Sequence, residues 1–331
     1  MKTKTYLVTG GAGFLGASLV RRLVAHGHHV RVLDNELRGR VSRLKEIADR
    51  IEVVHGDIRD AAVVRQAMRG VESVCHLAFV NGTEYFYSRP DLVLDVGVKG
   101  MINILDACIQ EHVGELILAS SSEVYHAPST VPTNETAPLV IPDPLNPRYS
   151  YAGGKIISEL MALHYGKKYF DRVIIFRPHN VYGPDMGTEH VIPQFILRML
   201  SLLEDSTDPL PFPIQGSGHE TRAFVFISDL IDGVLLLLEH GQHLGIYHVG
   251  TEEEITIGEV ACMVGRCFNR QITVIPGHAP EGGTPRRCPD ISKLASFGYQ
   301  PRVRLEEGLP RVAHWYEEQG HRMPCAEEGV R

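Results

Sequence analysis

The segment TGGAGFLG, residues 9–16, decides the fold class of this chain. It lies between an apolar strand-like segment, residues 5–8, and an apolar helical one, residues 17–25. Its glycines would allow a tight turn, a close approach of the backbone to a pyrophosphate and close packing of a helix on a strand. The free N–H groups at the start of the helix would bind the anion. The segment therefore predicts a dinucleotide site that includes Gly10, Gly13, Phe14, Leu15 and Gly16.

The next strand-like segment indicates which dinucleotide binds. Residues 29–33 are followed by Asp34 and Asn35, and Asp34 lies eighteen positions after Gly16. An acid at this point accepts a hydrogen bond from a ribose 2′-hydroxyl, which favours NAD over NADP. The sequence therefore predicts NAD as the cofactor.

Composition sets limits on the class of protein. The chain has 331 residues, 44% hydrophobic content and a formal charge of -7. It can bury a large core, and it has no net basic field for nucleic acid or an anionic membrane, so local arginines must hold an anionic ligand. No apolar stretch reaches about 18 residues and no signal peptide is recognisable, so we expect a cytoplasmic enzyme without membrane or nucleic-acid partners. The six scattered cysteines are expected to be reduced thiols, and no metal site is expected.

Apolar segments alternate between strand-like and helical patterns. Strand candidates are residues 5–9, 29–33, 51–55, 72–78, 115–120, 172–177 and 246–249, and helix candidates are residues 14–26, 91–111 and 150–169. This alternation predicts an α/β fold with a Rossmann-type doubly wound parallel sheet. Two helix starts are also predicted: Ser228 and Asp229 would cap a helix that ends near His240, and Thr256 with Glu259 has the spacing of a capping box.

The chain changes in texture near residue 178, where proline and glycine become frequent and the apolar segments shorter. We predict an NAD-binding Rossmann domain of residues 1–178 plus about 224–250. Residues 179–223 and 251–331 would form a smaller C-terminal α/β domain that binds the substrate. The cleft between the two domains is the expected ligand site.

A second group of polar residues follows the strand of residues 116–119. The segment SSSEVY, residues 120–125, lies where parallel sheets carry out chemistry. Tyr151 and Lys155 are four positions apart, which places both side chains on one face of a helix. With a cation and a positive nicotinamide ring nearby, Tyr151 is expected to ionise well below its usual pKa of about 10 and to act as a base. Glu123 is either a catalytic carboxylate or an acceptor for backbone amides.

Together these motifs resemble the extended short-chain dehydrogenase/reductase family, in its NAD-dependent nucleotide-sugar epimerase/dehydratase branch. Further matching segments are residues 33–35, 56–60, 76–78, 177–184, 216–224, 227–233 and 286–293. The resemblance implies catalytic roles for Ser121, Tyr151 and Lys155, with Glu123 as a further candidate. It implies that Asp57, Ile58, Leu77 and Ala78 line the cofactor, as Asn35 does, and that Tyr151 and Lys155 also bind it. It further implies that the substrate is bound by Asn81, Ser122, Asn180, Arg222 and Arg287.

The resemblance also implies a reaction. Tyr151 would take the proton of a sugar hydroxyl, usually O4, while C4 is oxidised and Ser121 hydrogen-bonds to the oxygen. The resulting 4-keto sugar can be reduced from its other face by a 4-epimerase, which is the favoured interpretation. Alternatively it loses carbon dioxide, as in UDP-glucuronate-type decarboxylases, or water, as in 4,6-dehydratases. Dehydratases that act on dTDP-glucose carry Asp-Glu where this chain has Ser122-Glu123.

Two further hypotheses remain open: a one-way NAD(P)-linked reductase, and a regulatory protein that binds NAD without turnover. The expected partners are a nucleotide sugar and a second copy of the chain, with helices 91–111 and 150–169 forming the dimer interface or part of the core.

Three positions depart from the family pattern. Phe79 stands where the family often has alanine, His126 where glycine usually follows VY, and residues 81–87 (NGTEYFY) form an unusual loop. We expect this loop to face the sugar, so an unusual sugar is a further hypothesis.

Overall fold

The computed structural model describes residues 2–279 and 282–320. The strands are β1 (Thr5–Thr9), β2 (His29–Asp34), β3 (Ile51–His55), β4 (Ser73–His76), β5 (Glu115–Ala119), β6 (Arg172–Pro178), β7 (Val181–Tyr182), β8 (Leu210–Pro213), β9 (Thr221–Ala223), β10 (Val225–Phe226), β11 (Gly245–Val249), β12 (Glu254–Thr256), β13 (Ile272–Ile275) and β14 (Arg286–Arg287). The helices are α1 (Phe14–Ala25), α2 (Ala61–Met68), α3 (Thr83–Ser88), α4 (Pro90–Leu94), α5 (Gly100–Gln110), α6 (Tyr149–Tyr169), α7 (Val191–Ser201), α8 (Ile227–His240), α9 (Ile257–Cys267), α10 (Ser292–Ala295) and α11 (Leu305–Gly320).

A seven-stranded sheet forms the centre of the molecule. Its strand order is β11-β6-β5-β4-β1-β2-β3, and all neighbouring strands are parallel. The register places Thr9 of β1 beside Leu33 of β2 and His76 of β4. The carboxyl ends of β1, β2, β4 and β5 therefore meet at one edge of the sheet. The predicted α/β class with a doubly wound parallel sheet is confirmed.

Helices cover both faces of this sheet because the strands are apolar on both sides. Helices α1 and α8 contact each other on one face, and α2, α5 and α6 pack together on the other. The helix predicted over residues 91–111 is present as α4 and α5, joined by a π-helical turn at Asp95–Lys99. Pro90 occupies the first turn of α4, where its missing N–H costs no hydrogen bond.

The remaining elements form a third apolar cluster in the C-terminal part of the chain. Helices α7, α9 and α11 pack on one another, and β8 pairs with β13. Strand β9 joins β12 and β14 in a small sheet, which brings residues 221–223 and 286–287 together. The domain boundaries at 178, 224 and 250 stay a prediction, and residues 321–331 of the predicted second domain lie outside the described residues.

Of the two predicted helix starts, one is confirmed and one is wrong. Thr256 and Glu259 form a reciprocal capping box at the start of α9. Helix α8 instead begins at Ile227 without a side-chain cap. Asp229 is buried, and its carboxylate accepts hydrogen bonds from the backbone N–H groups of Arg302 and Val303, both at 2.8 Å. Because residues 302–303 bind this carboxylate through their backbone, Asp229 anchors the chain before α11 and does not cap α8.

The remaining global expectations concern thiols and membranes. Cys75, Cys108 and Cys288 are free and buried, Cys262 and Cys267 are free and partly exposed, and Cys325 lies outside the described residues. Within residues 2–279 and 282–320, no helix has the length and apolar character needed to cross a membrane.

Buried neutral histidines make stability depend on pH. His179 is buried, and neither ring nitrogen has a hydrogen-bond partner. Burial, together with the positive charges nearby, holds its pKa well below the usual range, and burial lowers the pKa of His76 to about 3. Because the unfolded chain then binds more protons below about pH 6.5, stability falls as the pH is lowered from that value.

We therefore expect the His179→Phe variant to lose less stability on acidification than the parent protein. Between pH 6 and 5 the slope of unfolding free energy against pH should fall by about 1 kcal/mol per pH unit, because one titrating group is gone. Urea unfolding at several pH values measures this slope. The exposed His314 is the control, and His314→Phe should keep the parental slope. An unchanged slope in His179→Phe would contradict the prediction.

Candidate active site

One cavity of about 380 Å³ lies at the carboxyl edge of the central sheet. Its volume is typical of small-molecule and cofactor sites. The predicted site residues that line it are Gly10, Gly13, Phe14, Leu15, Gly16, Asp34, Asn35, Asp57, Ile58, Leu77, Ala78, Asn81, Ser121, Ser122, Glu123, Tyr151, Lys155, Asn180 and Arg287. Arg222 is the one predicted site residue that does not line it. Residues as far apart in the chain as Gly10 and Arg287 therefore meet in one cavity.

The glycine-rich turn at the floor of the cavity fits a dinucleotide. Gly10 has a φ of +68°, and a Cβ there would lie 2.8 Å from the backbone nitrogen of Ala78. A Cβ on Gly16 would lie 2.1 Å from the Gly10 carbonyl oxygen. No side chain caps the start of α1 at Gly13, so its first N–H groups are available to an anion. The backbone therefore forms a cradle that any larger side chain would fill.

The acid predicted to bind the ribose lies at the end of β2. The Asp34 carboxylate accepts hydrogen bonds from the backbone N–H groups of Ala12, at 2.9 Å, and Glu36, at 2.8 Å. Burial raises the pKa of Asp34. Because each carboxylate oxygen has two lone pairs, Asp34 can still accept a hydroxyl hydrogen bond. A Cβ on Gly39 would lie 2.9 Å from both carboxylate oxygens, so this glycine keeps the approach open.

Asp57 closes the same end of the cavity. Its carboxylate accepts hydrogen bonds from Asn35 Nδ2 at 2.9 Å and from the guanidinium of Arg59 at 2.8 and 3.0 Å. The bond from Arg59 lowers the pKa of Asp57 to about 2. Asn35 and Asp57, which the sequence assigned to the cofactor, are thus held in place by each other.

Helix α6 and the end of β5 bring the three predicted catalytic residues together. The side chains of Tyr151 and Ser121 lie close enough for Ser121 to lower the pKa of the phenol, and Ser121 Oγ accepts the backbone N–H of Glu123 at 3.2 Å. One turn further along α6, Lys155 Nζ donates to the carbonyl oxygen of Ala119 at 2.6 Å. Spacing by four on the helix therefore places phenol and ammonium on one face, as predicted.

The expected low pKa of Tyr151 depends on the nicotinamide charge and stays a prediction, because the protein alone holds this pKa high. Burial raises this pKa to about 12, although the hydrogen bond with Ser121 opposes the rise. The Lys155 ammonium is directed at a backbone carbonyl, so it does not offset the loss of water around the phenol. Burial also lowers the pKa of Lys155 to about 7, against the attraction of Glu159.

A buried ion pair between Glu159 and Arg177 holds helix α6 in place. Glu159, two turns after Tyr151, binds the Arg177 guanidinium through both carboxylate oxygens, at 2.8 and 2.5 Å, and also accepts the hydroxyl of Ser120. The side chains of Glu159 and Arg177 are each 2% exposed. Tyr151, Lys155 and Glu159 thus contact residues 119–121 through three successive turns of α6, which fixes the helix against the end of β5.

Glu123 has a third role, which the sequence did not indicate. Its carboxylate forms an ion pair with Arg287 at 2.7 Å. Burial opposes ionisation, but Arg287 and the nearby Arg148 and Arg222 hold the pKa of Glu123 at about 2. Glu123 is therefore a permanent anion at neutral pH.

Of the other residues predicted to bind the substrate, Asn180 lines the cavity and Arg222 does not. Arg222 lies beside Arg287 in the β9–β14 pair, and its guanidinium donates to the carbonyl oxygens of Thr221 and Thr284, both at 2.7 Å. The cavity side of this pair is therefore formed by Arg287. Asn180 lines the cavity with a φ of +38°, and its Nδ2 donates to the Ala223 carbonyl oxygen at 3.1 Å.

The three departures from the family pattern lie around the catalytic residues. The unusual loop folds as α3, and its Asn81, Thr83 and Phe86 line the cavity. Phe86 stacks on Tyr151 with ring centroids 4.9 Å apart. His126 has a φ of +54°, which accounts for the glycine usual at this position.

Phe79, Phe86 and Arg38 also line the cavity. The sequence assigned no site role to Phe79 or Arg38, and it included Phe86 only as part of the loop expected to face the sugar. Arg38 lines the cavity, pairs with Glu189 at 2.9 Å and has one buried nitrogen, Nη1, without a partner. The unusual sequence after residue 78 was a sign that Phe79 and Phe86 could belong to the site. Arg38 has other arginines close to it in the sequence, and nothing distinguished it from them.

Comparison with known proteins identifies the family. Residues 6–250 match the model of the NAD dependent epimerase/dehydratase family. The chain is 31% identical over 312 residues to UDP-glucuronic acid decarboxylase 1 of Arabidopsis thaliana, covering 92% of this chain and 68% of that protein. The chain belongs to the NAD-dependent epimerase/dehydratase family, as the resemblance implied.

Solved structures agree in fold. A dTDP-glucose 4,6-dehydratase from Streptomyces venezuelae with bound NAD has a TM-score of 0.85, 30% identity and covers 96% of this chain and 98% of its own. The UDP-glucose 4-epimerase of Thermus thermophilus, also with NAD, has a TM-score of 0.82, 28% identity and coverage of 95% and 99%. This chain is an NAD-dependent enzyme of nucleotide-sugar modification, and its relatives carry out several different reactions.

Proposed function

We propose that this enzyme is a nucleotide-sugar 4-epimerase that works through a transient 4-keto sugar. The observation that carries the proposal is the ion pair of Glu123 with Arg287. Among the residues that line the cavity, Glu123 is the carboxylate at the catalytic end, whereas Asp34 and Asp57 lie at the cofactor end. With a pKa of about 2, Glu123 holds no proton to donate. Epimerisation at C4 needs no acid or base beyond the Tyr151 group.

In this proposal three residues of the chain, Tyr151, Ser121 and Lys155, have separate roles in the reaction. When bound, NAD supplies the acceptor for the hydride of C4 and returns it. Tyr151 would take the proton of the O4 hydroxyl, Ser121 would hydrogen-bond to the same oxygen, and Lys155 would hold the nicotinamide ribose through the N–H that faces the cavity. Tyr151 needs an additional positive charge at the cavity to act as a base near neutral pH, since burial alone holds its pKa at about 12.

A UDP-glucuronate-type decarboxylase is the second candidate. Arg287 is buried, and its Nε has no hydrogen-bond partner. A buried guanidinium N–H without a partner is costly, and a carboxylate on C5 of the sugar would satisfy it. The relative in Arabidopsis thaliana carries this activity in its name.

A dehydratase and a regulatory protein have less support, and a one-way reductase is distinguished by its use of cofactor. Elimination of water by a 4,6-dehydratase needs a proton donor for the leaving hydroxyl, and the ionised Glu123 and the neutral Ser122 do not supply one. A one-way reductase would consume added NADH steadily. A regulatory protein without turnover has no need of Ser121, Tyr151 and Lys155 together in one cavity.

The test is incubation of the purified protein, with and without added NAD, with UDP-, dTDP-, GDP- and CDP-sugars and with uronates. Chromatography, mass spectrometry and NMR follow the products. Unchanged mass with inversion at C4 supports the epimerase. Loss of 44 or 18 mass units, which are about the masses of carbon dioxide and water, moves the assignment to decarboxylase or dehydratase. Absence of any product with NAD still bound would favour the non-catalytic hypothesis.

The proposed enzyme is a homodimer. Helices α4 to α6 expose four large aliphatic side chains on the outside of the molecule, Leu94, Ile102, Ile157 and Leu160, which are between 38% and 49% exposed. The helices pack side by side on one face of the sheet. An apolar surface of this kind on paired helices is suited to a four-helix interface with a second copy.

We expect Leu160→Glu to shift the protein from dimer to monomer. A carboxylate in an apolar interface loses its hydration without gaining a partner, so the dissociation constant should rise ~100-fold or more. Sedimentation equilibrium measures this constant. Leu145, which is 90% exposed on a loop outside these helices, provides the control, and Leu145→Glu should remain dimeric. A dimeric Leu160→Glu protein would exclude this interface.

We also propose a cytoplasmic location. The support is the set of buried free thiols at Cys75, Cys108 and Cys288, because unpaired cysteines are typical of reducing compartments. Fractionation of the source cells with an antibody to the chain tests the location.

A further inference from the structure

Phe79 occupies a space that two glycines leave open. It follows strand β4 and lines the cavity. A Cβ on Gly97, in the turn between α4 and α5, would lie 2.5 Å from Cζ of Phe79, and a Cβ on Gly154 of α6 would lie 3.0 Å from the same atom. The Phe79 ring is therefore enclosed between α6 and the turn that joins α4 to α5, and this packing fixes its position.

The face of this ring lies against the catalytic lysine. Lys155 Nζ is 4.1 Å from the centroid of Phe79, which is within the range of a cation–π interaction. An ammonium group has three N–H donors. One donates to the Ala119 carbonyl oxygen at 2.6 Å, and the ring of Phe79 covers a second direction. One N–H is left for the cavity, which Lys155 itself lines.

The charged groups near Lys155 do not replace this contact. Tyr151 and Glu159 lie on its own helix, and Glu159 is bound by Arg177 of β6 and by Ser120. His76 of β4 is buried and neutral at neutral pH, with its Nδ1 hydrogen-bonded to Thr9. Among the described residues, Lys155 has no hydrogen bond to a carboxylate. Of the two aromatic rings within cation–π range of Lys155, Phe79 at 4.1 Å is thus closer than Tyr151 at 5.8 Å.

We propose that Phe79 is a positioning residue for Lys155, whose π face keeps the ammonium charged and directs its remaining N–H into the cavity. Burial works against this charge, since it lowers the pKa of Lys155 to about 7. The ring offsets part of that loss, because a dehydrated cation gains most from an aromatic face. A phenylalanine in place of the alanine common in the family is then a functional replacement. The inference rests on the proposed role of Lys155 in the proposed function.

The test measures the ionisation of Lys155 directly and does not depend on turnover. The full-length protein is labelled with [ε-¹³C]lysine, and its eight lysines are followed by NMR as the pH is raised. The Lys155 signal is assigned by its absence from the Lys155→Met variant. We expect the midpoint to fall by about 0.5–1.5 pH units in Phe79→Leu, which keeps an apolar side chain but removes the ring. Phe79→Tyr keeps the ring and should keep the midpoint.

Phe86→Leu is the matched control. Phe86 stacks on Tyr151 at 4.9 Å, so its loss disturbs the site without removing the ring over Lys155. Its Lys155 midpoint should equal that of the parent protein. If Phe79→Leu fails to fold, trifluorophenylalanine at position 79 keeps the shape and weakens the π face, and the midpoint should again fall. An unchanged midpoint in a folded Phe79 variant, or an equal fall in Phe86→Leu, would overturn the proposal.

A pH profile of kcat provides a second readout once a substrate is known. The alkaline limb that depends on charged Lys155 should move to lower pH in Phe79→Leu by the same amount, and Phe79→Tyr should restore it. A purely structural Phe79 would lower activity without moving the limb. If no nucleotide sugar is converted, the proposed function fails while the NMR midpoint still tests this inference.

Discussion

Replacement of Tyr151 by phenylalanine is expected to lower turnover by about 10²–10⁴-fold or to abolish it, while NAD binding is unchanged. Only the phenolic oxygen is lost. The ring keeps its contacts with Phe79, at 5.1 Å, and Phe86, at 4.9 Å, so the site keeps its shape. The sugar hydroxyl loses the group that takes its proton, and Ser121 loses its interaction with the phenol.

Single-turnover assays with the best substrate measure this effect, and the NAD content of the purified protein is measured in parallel. Tyr165→Phe is the matched control, because Tyr165 lies on the same helix near its far end and makes its ring contact with Tyr169. That variant should retain parental activity. Near-normal turnover in Tyr151→Phe would remove Tyr151 from the mechanism.

Replacement of Glu159 by glutamine is expected to destabilise the protein by about 3–5 kcal/mol. The variant leaves the Arg177 guanidinium, whose side chain is 2% exposed, without a counter-charge in the core. Removal of one partner of a buried pair costs more than removal of both, because the second charge stays dehydrated. The double variant Glu159→Met/Arg177→Met should therefore recover most of the lost stability.

Urea unfolding of the three proteins at one pH measures these differences. Equal stability of Glu159→Gln and the parent would mean that the pair is not a significant buried charge. A double variant as unstable as the single one would assign the loss to packing or to the hydroxyl of Ser120, which Glu159 also binds.

The unusual segment after residue 78 shows how sequence and structure contribute differently to the site. The sequence singled out Phe79 and residues 81–87 as departures from the family pattern. The segment lines the cavity, and the expectation that it faces the sugar stays a prediction. Its contacts with Tyr151 and Lys155 could not be read from the chain, because they depend on the room beside Gly97 and Gly154.

The sequence by itself determined the sheet, the glycine cradle, the family and the cofactor. Each of these features depends on residues that are close together in the sequence. They are the alternation of strands and helices, the glycines of residues 9–16, and Asp34 eighteen positions after the last of those glycines. The common face of Tyr151 and Lys155 follows in the same way from the helical repeat.

Only the tertiary structure decided the electrostatic state of the site. The partner of Glu123 is Arg287, 164 positions away, and Asp229 is anchored by backbone more than 70 positions later. The pKa of Tyr151 is set by burial under Phe79 and Phe86. Dehydration and ion pairing depend on which distant elements pack together, and no local pattern in the chain specifies them.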